Sequence, residues 1–186
     1  MLRNLLILSL LLTSCAPRIG DRIQTDLEQN PLYAEVLADE RIDFLTGMLV
    51  SGITDPDVRR AHERSLASAQ RLQRWSHKQQ DEGEDGLFMS DFYFLEGMAL
   101  LLGDALHLSY DFEVEAAPDL HVALSMVLIP RTYDDFQGGV FLDLGPLQVT
   151  RGPQTYQLST PVQKDTYASV VIYSPSLKVV LGFAQI

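Results

Sequence analysis

The hydrophobic period of this chain changes once, at Gly86, and that change limits the fold more than any motif does. Before it, small and apolar residues recur mostly every three or four positions. They are Leu32, Val36, Leu37, Phe44, Leu45, Met48 and Leu49, then Val58, Ala61, Ser65, Leu66, Ala69, Leu72 and Trp75. That spacing lines one face of each of two helices. After Gly86 the period is two. Leu106, Leu108, Tyr110 and Phe112 alternate with His107, Ser109 and Asp111, and Leu120, Val122, Leu124 and Met126 alternate with His121, Ala123 and Ser125. Alternation of this kind marks strands with one face in a core.

Local signals set the boundaries. Asn30-Pro31 reads as an N-cap and first helical residue, and Ser51-Gly52 as the stop of a helix reaching about Val50. Thr54-Asp55-Pro56 opens a second helix, which should reach about Lys78. The two form an antiparallel hairpin over residues 31–80. Asp81-Glu82-Gly83-Glu84-Asp85 has no apolar residue and reads as a linker. Beyond it, Tyr156 and Leu158 alternate weakly, while Val170–Tyr173 and Val179–Leu181 are continuous apolar runs. With Gly and Pro between them, about seven or eight short strands fit residues 86–186. The expected fold is α+β: an N-terminal helical hairpin followed by an antiparallel β-sandwich. Trp75 should cover the helix–sheet contact, so Trp75→Ala should cost about 3 kcal/mol. Phe88, Phe92, Tyr93 and Phe94 should supply the first strand and the same contact.

The N-terminus carries a different message. Arg3 precedes an apolar run from Leu5 to Leu12, too short to span a bilayer and laid out as a secretory signal over residues 1–14. Leu12-Thr13-Ser14-Cys15 resembles the bacterial lipobox, whose Cys is lipidated and becomes the first mature residue. Cys15 is the only cysteine in the chain. Its acyl chains would anchor the protein stably, since each buried CH₂ adds about 0.8 kcal/mol. By resemblance to Gram-negative lipoproteins, Ala16 at the next position implies the outer membrane. Residues 15–30 then serve as a tether.

Charge and cysteine content exclude several functions. The chain has 25 acidic against 14 basic residues, a net charge of −11. Nucleic-acid binding needs clustered Lys and Arg, so no nucleic-acid partner is expected. With Cys15 acylated, no disulfide or thiolate metal site can form in the folded part. No Gly-x-Ser-x-Gly elbow, Gly-x-Gly-x-x-Gly or P-loop occurs.

An ordered set of segments resembles the DM-thirteen domain, a module of Skeletor-type animal proteins and of bacterial lipoproteins. It begins with Gly86-Leu87-Phe88 and Gly97. It continues with Leu106-x-Leu108, Phe112 and Ala117-Pro118-Asp119-Leu120-x-Val122-x-Leu124-Ser125. Leu144-Gly145-Pro146-Leu147, Gly152-x-Gln154-x-Tyr156-x-Leu158, Tyr167–Tyr173 and Gly182-Phe183-Ala184 complete it. The resemblance covers about the last 100 residues and departs from the family's Gly-Pro at Ala117. It implies a place in an electron-transfer system, through a cysteine that acts as a bare thiol or holds a group such as haem. At that position this chain has Ser174. A hydroxyl has no redox cycle and is a poor haem ligand, so the resemblance carries the fold further than the activity.

Other residues could carry chemistry. His107 and His121 both fall on the polar side of their alternation and are the candidates for haem or a metal. If residues 105–112 and 119–126 pair as neighbours with Phe112 near Asp119, His121 faces Tyr110 and lies about 10 Å along the strand from His107, too far for one ion. His62 and His77 read as helix-surface residues. Asp134, Asp135 and Asp143 lack calcium-loop spacing and read as a solvated loop, and Glu82, Glu84 and Asp85 as linker. No catalytic constellation emerges, so no enzyme is expected. The expectation is a lipid-anchored envelope module that binds a protein partner without a cofactor. Its alternative is an electron-transfer protein holding haem or a metal through His107 or His121.

Overall fold

The computed structural model describes residues 29–186. The segment read as signal peptide and tether, with Cys15, lies outside them. Helix α1 spans Pro31–Val50, and the Asn30 side-chain oxygen accepts from the Leu32 and Tyr33 amides at its N-terminus. Helix α2 spans Pro56–Glu82, capped the same way by Asp55. Between them Gly52 takes φ +90°, a conformation that costs glycine little. Small residues at Ala34, Ala38 and Ala69 are buried between the antiparallel helices, and the Ser76 hydroxyl donates to the Pro31 carbonyl at 2.6 Å.

The acidic stretch 81–85 is not a linker. α2 runs through Asp81 and Glu82, helped by Lys78–Glu82 and Gln79–Glu82 contacts one turn apart. Only Gly83 separates it from strand β1, Glu84–Met89. The acidic side chains are exposed or half-buried around this helix-to-strand junction, so a run without apolar residues belongs to regular structure.

The other strands are β2 (Leu95–Glu96), β3 (Met98–Leu102), β4 (Ala105–Leu108), β5 (Glu113–Val114) and β6 (His121–Ser125). β7 (Phe141–Pro146), β8 (Gln154–Gln157), β9 (Ser169–Ser174) and β10 (Val179–Gln185) follow. All pairing is antiparallel, in the order β7-β6-β9-β10-β1-β3-β4-β8, with β2 and β5 forming a separate small ribbon. The architecture is α+β, a helical hairpin followed by a sandwich-like sheet that curls nearly into a barrel. β1 makes the corner. Its Glu84–Leu87 half pairs with β3, and Phe88–Met89 pair with β10. At the turn of that corner a Cβ on Gly86 would overlap the Gln185 carbonyl, so the crossing requires glycine.

Residues 105–112 and 119–126 are not neighbours. β4 pairs with β3 and β8, and β6 with β7 and β9. Four strands therefore separate His107 from His121 in the sheet order. Alternation identified both strands but carries no information on which strands pair.

Inside the curl, Leu106, Leu108, Phe112, Val122, Leu124, Val170, Ile172 and Leu181 form the main core. A second apolar cluster lies on the outer face of β6, β9 and β10. Ala123, Val171, Tyr173, Val180 and Phe183 are covered there by Phe136, from the short helix α3, Tyr133–Gln137. Thr132 and Asp135 cap α3 reciprocally, so Asp134 and Asp135 begin a helix where a loop was expected.

The hairpin docks on the barrel through its base alone. Asn30 donates to the carbonyls of Leu108 and Gln154, and the Tyr33 and Tyr110 rings meet at 6.2 Å. Trp75 does not seal this contact. It is 38% exposed, and the buried residue at that level is Ser76. Of the expected aromatic cluster, Phe88 is buried and Tyr93 packs on the core. Phe92 and Phe94 are exposed in the loop after β1.

Candidate functional site

Ser174 ends β9 with its side chain on the core face, fully buried. Its hydroxyl donates to the Pro118 carbonyl at 2.7 Å, accepts from the Leu177 amide at 3.2 Å and lies 3.2 Å from the Ser176 hydroxyl. It thus ties the loop before β6 to the β9–β10 turn. This oxygen is enclosed and engaged, so the position implied for a redox cysteine is occupied by a structural group.

His121 begins β6 on the outer face. It stands opposite Tyr173 of β9, with the rings edge to face at 5.7 Å. A bulge between Val122 and Ala123 brings Asp143 of β7 beside it, 3.1 Å from Nδ1. Asp119, held at φ +56°, lies 3.4 Å from Nε2. Both ring nitrogens therefore face carboxylates. Burial first, then the Asp143 carboxylate beside it, push the Tyr173 phenol above its ordinary range. The group is an internally paired polar cluster that fixes the 115–119 loop against β7.

His107 is different. It lies on the outer face of β4, between Leu100 and Thr155 in register. A bare sheet would leave it solvated, as its place in the alternation suggested. The hairpin base covers this face instead, and the residue is 5% exposed. Nδ1 shares a hydrogen bond with Thr155 Oγ1 at 3.0 Å, and Nε2 has no partner among the described residues. Burial lowers its pKa to about 4, against a weaker opposing pull from Asp104, so the ring is neutral near pH 7. It lines a cleft of about 520 Å³ where the hairpin base meets the sheet edge, together with Gln29, Gln79, Asp104, Thr155 and Gln157.

The remaining candidates sit at the surface. His62 bonds the Val58 carbonyl within its own helix, and His77 pairs with Glu35 of α1 at 2.9 Å. Glu82 and Glu84 meet Lys78 and the Asp165 amide respectively. Among the described residues, no group of three or more His, Cys, Asp or Glu is placed to hold a metal ion.

The arrangement fits haem poorly. Ser174 is engaged within the protein, and both His121 nitrogens face carboxylates. The His107 cleft has one imidazole nitrogen without a partner among the described residues, but amides and a carboxylate surround it, and among the described residues no Lys or Arg lines it to meet propionates. The cleft was not legible in the sequence, because its walls come from four separated segments, near residues 29, 79, 102–107 and 155–157.

Compared with protein-family models, curated proteins and solved structures, the chain finds no match in any of the three.

Proposed function

We propose that this chain is a lipid-anchored, non-catalytic interaction module of the cell envelope, held at the outer membrane through Cys15. In this reading the helical hairpin is the arm by which it engages a protein partner. One observation carries the reading. Between Ala38 and Ala69 no residue of the arm is buried, although this stretch is rich in large apolar side chains. Phe44 is 65% exposed and Val50 82%, and Met48 and Val58 are exposed as well. α1 is about 30 Å long at 1.5 Å per residue, and only its first turns touch the barrel. Isolated exposed apolar residues are ordinary, but Phe44 and Met48 lie one turn apart on one face of α1, and such a pair on an arm supports an interaction surface. A partner surface of matching apolar character would bury them.

The anchor and the interaction can be tested separately. Replacing Cys15 with Ala should move the protein from the membrane fraction to the soluble envelope fraction. A photo-crosslinking side chain at Met48, in cells, should yield one adduct of discrete mass. Phe44→Asp should abolish it while leaving barrel melting unchanged. An adduct pattern identical to that from exposed Lys178 on the barrel would remove the arm from the proposal.

A further inference from the structure

The hairpin has two broad faces, and they differ. On one, Gln73 donates to Asp39 at 2.7 Å, and Glu35 meets His77 at 2.9 Å and Gln80 at 2.7 Å. These bridges mark the polar face and fix the level of one helix against the other. About half a helical turn round from Glu35 and Asp39, α1 presents Leu37, Phe44 and Met48. About half a turn round from Gln73 and His77, α2 presents Ala61, Ser68, Leu72 and Trp75. The second face is therefore built of apolar and small residues, and Phe44, Met48, Ala61 and Ser68 on it are exposed. The level set by the bridges puts Phe44 beside Ser68, and Met48 between Ala61 and Ser68. Large side chains on α1 thus stand next to small ones on α2. The two long edges carry opposite charge. Opposite the buried Ala38, α1 exposes Glu40 and Asp43, and opposite the buried Ala69, α2 exposes Arg64 and Arg71.

Resting on the reading of the arm as an interaction element, we propose that its partner is a second copy of this chain, packed face to face into a four-helix bundle. A two-fold axis along the helices lays α1 of each copy over α2 of the other. Phe44 then fills the space above Ser68 of the second copy, and Asp43 comes between the levels of that copy's Arg64 and Arg71. A two-fold axis across the helices would set α1 on α1 instead, with Glu40 and Asp43 against their own copies, and like charges disfavour it. The favoured arrangement keeps both hairpin bases at one end, as two chains anchored in one membrane require. The face is about 20 Å long and about two helix diameters wide, some 400 Å² per copy. That is roughly half of a standard interface, so confinement to a common membrane supplies the effective concentration the pair needs.

The test uses the full chain in cells, expressed under two different tags. A photo-crosslinking side chain at Met48 should give an adduct of twice the chain mass that carries both tags. An adduct of another discrete mass would overturn this inference and leave the arm with a different protein partner. No intermolecular adduct, as when residues 1–28 of the same chain cover the face, would remove both readings. The packing is tested with Phe44→Cys in one tagged copy and Ser68→Cys in the other, since Cys15 is acylated in this reading and does not compete. On mild oxidation this pair should form at least tenfold more disulfide than Phe44→Cys paired with itself. Asp43→Arg in the first copy should cut the mixed disulfide at least tenfold, and Arg71→Asp in the second should restore it. Equal cross-linking of Phe44→Cys with itself, or no restoration by the reversed charges, would overturn the packing.

Discussion

Asn30 and Leu108 are 78 residues apart in sequence and share a hydrogen bond, the Asn30 amide nitrogen donating to the Leu108 carbonyl at 2.8 Å. The same side chain accepts from the Leu32 and Tyr33 amides, so one buried residue both starts α1 and fastens it to the sheet edge. Asn30→Ala should cost about 2 kcal/mol or more, because it removes a helix cap and the donor to two buried carbonyls. Asn30→Asp keeps the cap but turns a carboxylate oxygen toward those carbonyls, and at pH 7 it should cost more than Ala. Urea midpoints of the two variants check the order. An Asp variant as stable as wild type would mean that the Leu108 bond contributes nothing.

Gly86 sits where β1 passes from one half of the sheet to the other. Any side chain there overlaps the Gln185 carbonyl, a backbone atom that cannot rotate away. Gly86→Ala should therefore destabilise the barrel by several kcal/mol, although Ala is ordinarily the better strand residue of the two. Gly103, with open space around its missing side chain but φ +61°, should cost only about 1 kcal/mol on the same change. Thermal melts of the two variants side by side decide this.

Ser174 offers a direct test of the redox idea. Ser174→Ala should cost about 1–3 kcal/mol, since the Pro118 carbonyl and Leu177 amide lose their buried partner. Ser174→Cys should fold, and its thiol should be inert to a water-soluble disulfide reagent until the protein unfolds, because the site is fully enclosed. Rapid labelling of the native Cys variant would show that the site opens.

Burial of His107 makes stability depend on pH. Its folded pKa is about 4 against 6.5 for the free side chain, so between those values the unfolded state binds more protons. Stability from this group is complete above about pH 6.5 and falls as pH drops toward 4, by on the order of 3 kcal/mol in all. His107→Gln should flatten that part of the curve. A wild-type urea midpoint unchanged between pH 7 and pH 4.5 would contradict the assignment.

The two aromatic positions most open to misreading should behave in opposite ways. Phe136, fully buried over Tyr173 with ring centroids 4.7 Å apart, should cost about 3–5 kcal/mol when replaced by Ala. Trp75→Ala should cost about 1 kcal/mol, well below the figure its place in the helical stripe suggests, because the ring is partly in solvent. Denaturant titrations of both variants measure the difference.

How much of this was legible in the sequence can be followed residue by residue. The caps at Asn30 and Asp55 were readable because capping is local, since the residue types that satisfy the first helical amides are few. The switch of period at Gly86 separated helices from strands for the same reason, as periodicity depends only on near neighbours. The acidic stretch misled, because a solvated helix end and an exposed strand edge look like a linker when apolar content is the only guide. α3 was missed because five residues are too few to show a period.

The amino-acid order by itself determined where the helices start, which residues alternate and, for the alternating strands around His107 and His121, which side is apolar. Those properties follow from backbone geometry over a few residues. Tertiary structure decided the rest. Strand pairing placed His121 beside Asp143 and Tyr173 and put four strands between it and His107. Docking of the hairpin base buried His107, while the same strand without that cover would leave it in water. Pairing and docking depend on contacts between residues tens of positions apart, and no local pattern encodes which of the possible partners wins.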